Sequence, residues 1–424
     1  MRKIYLFTFM MLLLVHLKGQ AQQITLHVER AGTLHGMINA SRLPYITDLK
    51  LTGELNGTDI SFIRTLVKKN LRFLDLSEAR IVEGGAIYYS NYRTSNDIIG
   101  SYMFYNPDYS PISPCAISKI NLPNSVTGIE EGAFKSCTRL TDINIPNSVT
   151  SIGPETFTTC TSLTDINIPN SVTSIGERAF SGCTSLTDIN IPNSVTSIEW
   201  ATFYSCTSLT DINIPDAVKS IEPETFSGCT RLTDINIPNS VTSIGYEAFY
   251  NCTRLTDINI PNSVTSIERS TFYSCTGLTS INIPGSVTTI GSNAFYDCTS
   301  LTDINIPNSV TSIGEQAFYN CDNLKSVYMN ASTPPFIGSQ AFHNISKDLT
   351  IYIPRGSYTA YWLSYWGNYN LVEYDPTDIQ GVTTSAHNGV EKYFSIDGRP
   401  LPGPCKGVNI IQDTDGKTRK AWIP

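Results

Sequence analysis

Apolar and polar positions alternate along most of this chain in a phrase of 23 residues, approximately LTDINIPNSVTSIGxxAFxxCTS, repeated over Ile120–Leu324. In one copy, polar residues separate Leu140, Ile143 and Ile145, which predicts a short strand with one buried face. Pro146 is expected to end the strand, because proline has no N–H to donate to a neighbouring strand. A fixed period of this length indicates that each copy is one structural unit stacked on the next.

The remainder of each copy is expected to return to a common core. After the strand, Val149, Ile152, Phe157 and Cys160 are predicted to point inward, with a turn at Gly153. One copy alone leaves these side chains without neighbours above and below, so stability is expected to come from the interfaces between repeats. The pattern therefore predicts a β-rich solenoid with a short strand plus turns in each repeat.

The phrase resembles the repeat of the BspA-like leucine-rich repeat family, which comprises bacterial surface proteins with 23-residue repeats. The resemblance implies a leucine-rich repeat solenoid with capping segments at both ends. For function it implies only extracellular protein binding, often adhesion to host proteins, because fold does not fix function. In one copy the matching positions are Ile143, Ile145, Pro146, Val149, Ile152, Gly153, Phe157 and Cys160.

The array divides the chain into five predicted segments. These are a signal peptide (1–21), an N-terminal cap with irregular leucine-rich repeats and a Tyr-rich loop (22–113), the repeat array (114–345), a C-terminal cap (346–376) and a β-strand tail (377–424).

The signal peptide is predicted from Arg2 and Lys3, the apolar run Ile4–Leu17 and the small residues of Gly19–Ala21. The apolar run is short for a transmembrane helix, and no later stretch of the chain qualifies. The mature protein is therefore expected to be exported by a bacterium, either to its outer surface or into the medium, without spanning a membrane.

The N-terminal cap contains a predicted amphipathic helix, for which Thr58 or Asp59 is expected to be the N-cap. A tyrosine-rich segment, Gly84–Ser113, then interrupts the repeat pattern. It is interpreted either as an ordered insertion packed on the solenoid or as a binding loop, because tyrosine gives contact area at low entropic cost. Its tyrosines are Tyr88, Tyr89, Tyr92, Tyr102, Tyr105 and Tyr109.

The C-terminal cap is predicted from Leu349, Ile351 and Ile353 and from an aromatic cluster around Trp362 and Trp366. The tail resembles a shortened C-terminal sorting domain of type IX secretion cargo, which implies export to the outer surface. The alternative is a plain β-hairpin appendage. Asp-Gly pairs predict turns between three strands, at Tyr393–Ile396, Gly407–Ile411 and Thr418–Ile423.

Composition and charge narrow the classes of function. Loss of the three positive charges of the signal peptide takes the formal net charge from -8 to -11, which makes nucleic acid a poor candidate partner. The mature chain keeps only His27, His35, His343 and His387, which are widely scattered, and it has no hydrolase, zinc-protease or phosphate-loop motif. We expect no enzymatic activity, no cofactor and no metal.

Cysteines recur at one position of every copy of the phrase, without a slip, and are expected to form a column through the array. Neighbours in such a column could form disulfides by distance alone, but buried free thiols are the preferred interpretation, because cysteine is a favoured small buried residue. Cys115 and Cys405 have no evident partner. The column consists of Cys137, Cys160, Cys183, Cys206, Cys229, Cys252, Cys275, Cys298 and Cys321.

Aspartates form a second column, which alternates out of the strand and is a candidate binding row. Stacked carboxylates repel each other, which is expected to raise their pKa values. Either a cation such as Ca²⁺ or the flanking threonines, asparagines and water could relieve this repulsion; the second is preferred, because no glycine-rich calcium loop accompanies the row. The candidates are Asp142, Asp165, Asp188, Asp211, Asp234 and Asp257, with Asp303 continuing the row after Ser280.

Aromatic residues mark a second candidate binding surface along one flank. Exposed aromatics in a row are enriched at protein contact sites. The alternative is ring-on-ring packing that only stiffens the array, as cross-strand pairs do. The candidates are Tyr204, Tyr250, Tyr273, Tyr296 and Tyr319, joined by Trp200 and Tyr246.

Repetition favours binding by many weak equivalent contacts along a rigid surface. We therefore expect a secreted or cell-surface protein that mediates protein–protein interaction through a concave polar face or the tyrosine flank, with adhesion to host matrix or neighbouring-cell proteins. The alternative is a passive structural surface protein without a specific ligand. The sequence does not predict an oligomeric state.

Overall fold

The computed structural model describes residues 22–105 and 115–375, and the backbone of four further strands between residues 392 and 423. The predicted signal peptide, Tyr109, His387, Cys405 and both Asp-Gly pairs lie outside the described residues. The repeats form a β-solenoid of about 15 turns, in which short parallel strands stack rung upon rung with little helix. This confirms the predicted solenoid.

The chain enters the solenoid through long parallel strands whose leucines lie in register. Leu49 pairs with Leu74, which pairs in turn with Ile120 at the start of the array. In chain order, the N-terminal elements are β1 (Gln22–Val28), α1 (Leu34–Met37), a 3₁₀ helix (Ala40–Tyr45), β2 (Ile46–Leu55), α2 (Gly57–Val67), β3 (Phe73–Ile81), β4 (Gly84–Tyr89), β5 (Tyr92–Thr94) and β6 (Ile98–Ile99).

The N-cap of α2 is Asn56, so the prediction of Thr58 or Asp59 was wrong. Asn56 Oδ1 accepts the N–H of Thr58 at 3.0 Å, and the Asp59 carboxylate accepts the N–H of Asn56 at 3.0 Å. This reciprocal arrangement is a capping box, in which Asp59 has the third helical position. Three polar residues within four positions can each cap a helix, and the sequence alone does not fix which one precedes the first turn.

Up to Tyr105, where the described part of the segment ends, the tyrosine-rich insertion is packed on the solenoid, as the first of the two interpretations predicts; the binding-loop interpretation stays a prediction. Strands β4 and β5 form an antiparallel hairpin. Tyr89, Tyr92, Tyr102 and Tyr105 pack edge-on or tilted against one another, with ring centroids 5.4–6.0 Å apart. Tyr88 is buried, and its hydroxyl donates to the carbonyl of Ser101. Most of these rings therefore pack within the insertion.

Each full rung contains two strand positions, of which the sequence predicted only one. The array continues with β7 (Lys119–Asn121), β8 (Gly128–Ile129), β9 (Asp142–Asn144), β10 (Ser151–Ile152), β11 (Ser174–Ile175), β12 (Ser197–Ile198), β13 (Ser220–Ile221), β14 (Ser243–Ile244), β15 (Ser266–Ile267), β16 (Thr289–Ile290), β17 (Asp303–Ile306), β18 (Ser312–Ile313), β19 (Ser326–Met329) and β20 (Phe336–Ile337).

The predicted strands form the first ladder, which includes β7, β9, β17 and β19. In the middle rungs this ladder shrinks to single bridges between asparagines, such as Asn190 with Asn213. A full strand had been expected there, so its predicted length was wrong. In each of these rungs a proline follows two residues after the asparagine, and it has no backbone N–H to donate. The backbone hydrogen bond just before the bridge is long in one such rung, where the N–H of Thr256 lies 3.4 Å from the carbonyl of Thr233.

The second ladder consists of Ser-Ile or Thr-Ile pairs in parallel register, such as Ser151 with Ser174 and Ile152 with Ile175. Just before these strands, the N–H of Thr173 donates back to the carbonyl of Thr150 in the preceding rung at 2.9 Å. The sequence predicted only a bend at this position. Two residues are too few for an alternation of apolar and polar positions to be recognised.

A turn segment that carries the buried phenylalanine completes each rung. Here the hydrogen bonds run toward the next rung: the N–H groups of Glu155, Phe157 and Thr159 each donate to a carbonyl of that rung at 2.7 Å. Two residues of the segment have left-handed backbone, with φ of 52° at Glu155 and 58° at Thr159. Later rungs place Gly182 and Gly228 at the second of these positions.

Thr159→Gly is expected to raise the free energy of unfolding by about 0.5 kcal/mol. A left-handed backbone costs a residue with a Cβ about 1–2 kcal/mol, and the greater freedom of glycine in the unfolded chain offsets part of the gain. Gly182→Ala introduces a Cβ at the equivalent position of the next rung and is expected to lower the free energy of unfolding by about 1 kcal/mol. Its Cβ would also lie 3.2 Å from Thr159 Cγ2. Urea titrations measure the free energy of unfolding of both variants. A change of the same sign in the two variants would contradict the expectation.

The core is a set of continuous columns, as the repeat predicted. Leu140, Ile143, Ile145, Phe157 and Cys160 are all buried, as are their equivalents in the other rungs. The phenylalanines stack face to face from Phe104 to Phe342, with centroids 4.9–5.7 Å apart and ring planes within 14° of parallel. Each ring between these two ends therefore has a phenylalanine above and below it, which one repeat alone could not provide.

The last rung is closed by β21 (Thr350–Pro354), α3 (Tyr358–Trp362), a 3₁₀ helix (Tyr365–Asn368) and β22 (Asn370–Tyr374). Trp366 is fully buried, lies 5.7 Å from the terminal Phe342 ring and donates from Nε1 to the carbonyl of Pro335 at 2.9 Å. Tyr361 is also buried, and its hydroxyl donates to the carbonyl of Ala331. These two side chains cover the end of the core.

The tail contains one antiparallel sheet in the order β24-β23-β25-β26. Its strands are β23 (Lys392–Ser395), β24 (Pro400–Leu401), β25 (Gly407–Gln412) and β26 (Thr418–Ile423). The sequence predicted three of these four strands and did not predict β24. The resemblance to a type IX sorting domain stays a prediction.

Candidate functional site

The polar side of the first ladder carries threonine, aspartate and asparagine in every middle rung except one, where Ser280 replaces the aspartate. We call this surface the Thr-Asp-Asn face; one rung supplies Thr164, Asp165 and Asn167, all exposed. Each predicted aspartate of the row is exposed on it, because the strand alternation turns the intervening isoleucines inward. These aspartates are Asp142, Asp165, Asp188, Asp211, Asp234 and Asp257.

Threonine hydroxyls on this face mostly serve the backbone and not the carboxylates. Thr187 Oγ1 donates to the carbonyl of Thr164 at 3.2 Å, and the same contact recurs in later rungs. Direct contacts to the carboxylates include an ion pair of Lys119 with Asp142 at 2.6 Å and a hydrogen bond from Thr164 Oγ1 to Asp165 Oδ2 at 3.1 Å. The array therefore presents its carboxylates outward at a regular spacing.

Asp303 differs from the aspartates of the middle rungs. Burial raises the pKa of its carboxyl group, opposed by a hydrogen bond from Thr302 at 2.8 Å, and its Oδ1 has no partner. The expected cause was repulsion between stacked carboxylates, but here the cause is desolvation. Within the described residues, no three His, Cys, Asp or Glu side chains are grouped so that they could hold a metal ion.

Four of the predicted flank residues form what we call the Tyr stack: Tyr250, Tyr273, Tyr296 and Tyr319. Consecutive rings lie 4.5–4.8 Å apart with planes within 12° of parallel. Burial, and then the neighbouring tyrosines, raise the pKa of Tyr273 to about 12. The ring faces are covered by one another, so a partner could reach only the edges and hydroxyls of these side chains.

The other flank candidates lie apart from the Tyr stack. Tyr204 is 40% exposed, and Ser227 occupies the position between it and Tyr250. Trp200 and Tyr246 lie four residues earlier in their rungs. The guanidinium carbon of Arg178 lies 4.1 Å from the Trp200 ring centroid, and Arg269 covers Tyr246 at 5.5 Å. The structure thus does not gather the seven aromatic candidates into one surface.

Two features of the aromatic surface escaped the sequence analysis. His343 extends the Tyr stack, with its ring centroid 5.4 Å from that of Tyr319. The signal was its place directly after the buried Phe342, where the four preceding rungs have tyrosine. At the C-terminal end, a cavity of about 480 Å³ opens beside strongly exposed apolar residues, among them Phe336, Leu363 and Tyr365.

The cysteine column is buried, and its thiols are free. From Cys160 onward, each thiol donates to the carbonyl of a phenylalanine 26 residues earlier, at 3.1–3.2 Å. That carbonyl already accepts a backbone N–H: Phe134 O accepts the N–H of Cys137 at 3.0 Å and the thiol of Cys160 at 3.2 Å. Cysteine thus supplies a small apolar side chain and a weak donor at one position.

Among curated proteins, none matches this sequence. A leucine-rich repeat protein from Bacteroides ovatus is 24% identical, with 72% of this chain and 92% of that chain aligned and a TM-score of 0.38. A T. pallidum leucine rich repeat protein is 34% identical over 37% of this chain and 71% of its own, with a TM-score of 0.34.

A third solved structure, a leucine rich cell surface protein from Faecalibacterium prausnitzii, is 28% identical over 58% of this chain and 86% of its own, with a TM-score of 0.32. Among the described residues, none of the helices has the length and apolar character to cross a membrane. The model of the BspA type leucine rich repeat region matches residues 97–233 and 219–350 in six copies. These matches take in more than half of the sequence, and the chain therefore belongs to the BspA-type leucine-rich repeat family.

Proposed function

We propose that this protein is an exported bacterial solenoid that binds extracellular proteins through its Thr-Asp-Asn face, and that it serves adhesion to host matrix or neighbouring cells. Membership of a repeat family of surface proteins and the predicted signal peptide support export. The observation that carries the binding proposal is the row of exposed carboxylates, one in each of six successive rungs.

Such a row favours a partner with a basic surface. Each solvent-exposed charge pair contributes little, about 0.5 kcal/mol, but equivalent pairs along a rigid array add up. Opposite charge also accelerates association and makes it sensitive to salt. The Tyr stack is a second candidate contact surface, through its ring edges and hydroxyls. A passive coat protein would show no preference for basic partners and would bind no protein through the Tyr stack.

Binding of the full mature chain to a panel of immobilised, purified extracellular matrix proteins tests the proposal. We expect the wild type to bind at least one basic member at low salt. The triple change Asp188→Asn, Asp211→Asn and Asp234→Asn is expected to weaken this binding about tenfold, because three pairs at about 0.5 kcal/mol each approach the 1.4 kcal/mol of one decade.

The matched control removes three exposed carboxylates that lie outside the row, by Glu177→Gln, Glu199→Gln and Asp216→Asn. The last change restores the asparagine that most rungs have after the proline. This control is expected to bind like the wild type. Equal losses in both variants would show that only net charge matters, and no binding to any panel member would favour the passive coat.

A further inference from the structure

The C-terminal end of the solenoid has an open groove beside exposed apolar side chains. Its central cavity, of about 480 Å³, is lined among others by Phe336, Leu363 and Tyr365, which are 66%, 80% and 74% exposed. Large apolar side chains that are exposed together mark interaction sites, whereas isolated ones need no explanation. Because these side chains already face solvent, a ligand can reach them without any rearrangement of the cap.

Two further cavities continue the central one along the segment Asn330–Gln340. One, of about 470 Å³, shares Pro334 and Pro335 with the central cavity, and the other, of about 370 Å³, shares Phe336 and Tyr365 with it. Each volume lies within the range of about 300–1,000 Å³ that is typical of ligand sites. The three cavities therefore form a row, which fits an extended chain of linked units better than a single compact molecule.

The lining of this groove carries no charge. Of the described residues that line the three cavities, none is Asp, Glu, Lys, Arg or His, although Asp, Glu, Lys and Arg make up 16% of the chain. Apart from the indole of Trp366, their polar side-chain groups are hydroxyls and amides, such as those of Ser332, Thr333, Ser339 and Asn368. A charged ligand would lose hydration here without gaining a partner of opposite charge. The groove therefore suits an uncharged ligand.

Hydrogen bonds hold the wall of the groove in place. Trp366, which lines the central cavity and is fully buried, donates from Nε1 to the carbonyl of Pro335 at 2.9 Å. Asn368 Nδ2 donates to the carbonyl of Tyr365 at 3.0 Å. The turn that carries the exposed Tyr365 ring is thus fixed before a ligand arrives, and less conformational entropy is lost on binding.

We propose that this groove binds a linear, uncharged polysaccharide, with sugar rings stacked on Phe336 and Tyr365. A pyranose ring has apolar C–H faces, which pack on an aromatic side chain, and hydroxyl groups around its edge. Those hydroxyls donate and accept hydrogen bonds, as the hydroxyl and amide side chains of the lining do. The apolar centre of the row, with Ser332 and Thr333 on one side and Ser339 on the other, therefore matches successive sugars of one chain.

Two other occupants fit these observations less well. A proline-rich peptide can fill an aromatic groove, but proline has no N–H to donate to the hydroxyl and amide oxygens of the lining. A symmetric pair of copies of this chain would bury the same surface of both molecules, so it would set one groove against another and leave the cavities unfilled. The polysaccharide site uses none of the aspartates of the Thr-Asp-Asn face, and the proposal does not depend on protein binding there.

Calorimetric titration of the full mature chain with cellohexaose, xylohexaose and mannohexaose tests the proposal. We expect at least one of them to bind, and the disaccharide of the same sugar to bind about tenfold more weakly, because only the longer chain reaches the outer cavities. Between about 50 and about 500 mM salt the affinity should change less than about twofold, since no charge pair forms. Failure of all three hexasaccharides to bind, or equal affinity for the disaccharide, would overturn the proposal.

Two variants locate the site. Tyr365→Ala and Phe336→Ala are each expected to weaken binding of the hexasaccharide about tenfold, because each removes one stacking ring. The matched control is Tyr358→Ala, since Tyr358 is exposed on the same cap but lines none of the three cavities. It is expected to bind like the wild type, and urea titrations show that all three variants are folded. Unchanged affinity in both groove variants, or an equal loss in the control, would contradict the proposal.

The same proteins distinguish the other occupants. Tighter binding of a soluble polyproline peptide than of any hexasaccharide, lost in Tyr365→Ala, would assign the groove to a peptide and overturn the proposal. Sedimentation that shows a wild-type dimer, abolished by Tyr365→Ala and unaffected by the sugars, would assign the groove to a second copy of this chain and overturn it as well.

Discussion

Raising the pH from about 8 to about 11 is expected to unfold the repeat array. In the folded protein, burial raises the pKa of the thiols from the usual value near 9 to about 12 at Cys183, Cys229 and Cys275. Their stabilising contribution is complete below about pH 9, where both states are protonated. It is lost as the pH rises toward 12, because only the unfolded chain then releases its protons.

The expected effect is large because the same residue recurs. Each thiol lowers the free energy of unfolding by about 1.4 kcal/mol per pH unit above its unfolded pKa. Eight thiols with burial as the main cause would together give about 10 kcal/mol per unit if the array unfolds as one, which approaches the whole stability of a typical domain. They are Cys160, Cys183, Cys206, Cys229, Cys252, Cys275, Cys298 and Cys321.

Urea titrations at several pH values measure this slope. Cys206→Ala is the informative variant: it is expected to lower stability at neutral pH, because it leaves a small cavity, but to reduce the alkaline slope by about 1.4 kcal/mol per pH unit. Tyrosines and lysines titrate in the same pH range, but they affect the wild type and the Cys206→Ala variant alike. A slope that is the same with and without Cys206 would contradict the account.

Trp366→Ala is expected to destabilise the C-terminal end by about 3–5 kcal/mol, the usual loss for a large buried aromatic side chain. The change removes the hydrogen bond to Pro335 and uncovers the Phe342 ring at the end of the stack. In a linear array the terminal rungs are expected to melt first. Hydrogen exchange should therefore show lost protection in β20 and β21 before the middle rungs.

The adjacent residue provides the control. Tyr365 is 74% exposed, so Tyr365→Ala is expected to change stability by less than about 0.5 kcal/mol. The Trp366 variant should in addition self-associate, since an uncovered apolar end rung offers a surface for a second molecule. Sedimentation at several concentrations measures this. A similar loss in both variants would mean that Trp366 is not the closing residue.

Period alone predicted the core, because identical side chains at the same position of successive copies must lie in one column once the repeats stack. Features that depart from the period by a single position were missed. Cys115 is one position too close to Cys137 for the period, and His343 is one position too far from Tyr319. The ring of His343 nevertheless stacks on that of Tyr319. A turn absorbs the missing or additional residue, and the strands on either side keep their register.

Some local features of each rung could also not be predicted from the sequence. The second ladder has only two residues per rung, which is too short for a periodic signal. Whether the tyrosines of the flank would stack or stand apart depended on the distance between rungs at that side. Tyr250 and Tyr273 occupy the same position of two successive rungs and stack. In the rung after Tyr204 this position is Ser227, so Tyr204 has no neighbouring ring on that side. The sequence thus predicted which polar residues of the first ladder are exposed, but not which of the flank aromatics stack on one another.

The opposite directions of the rung-to-rung hydrogen bonds have a consequence for the length of the array. Within one rung, the N–H groups of Arg178, Phe180 and Gly182 point to the next rung, whereas those of Thr173, Gly176 and Thr187 point to the previous one. Peptide dipoles on the two sides therefore oppose each other, unlike those of an α-helix, which add to a partial charge at each end. Gain or loss of a copy leaves the electrostatic potential at both ends nearly unchanged, so copy number can vary without a penalty that grows with length.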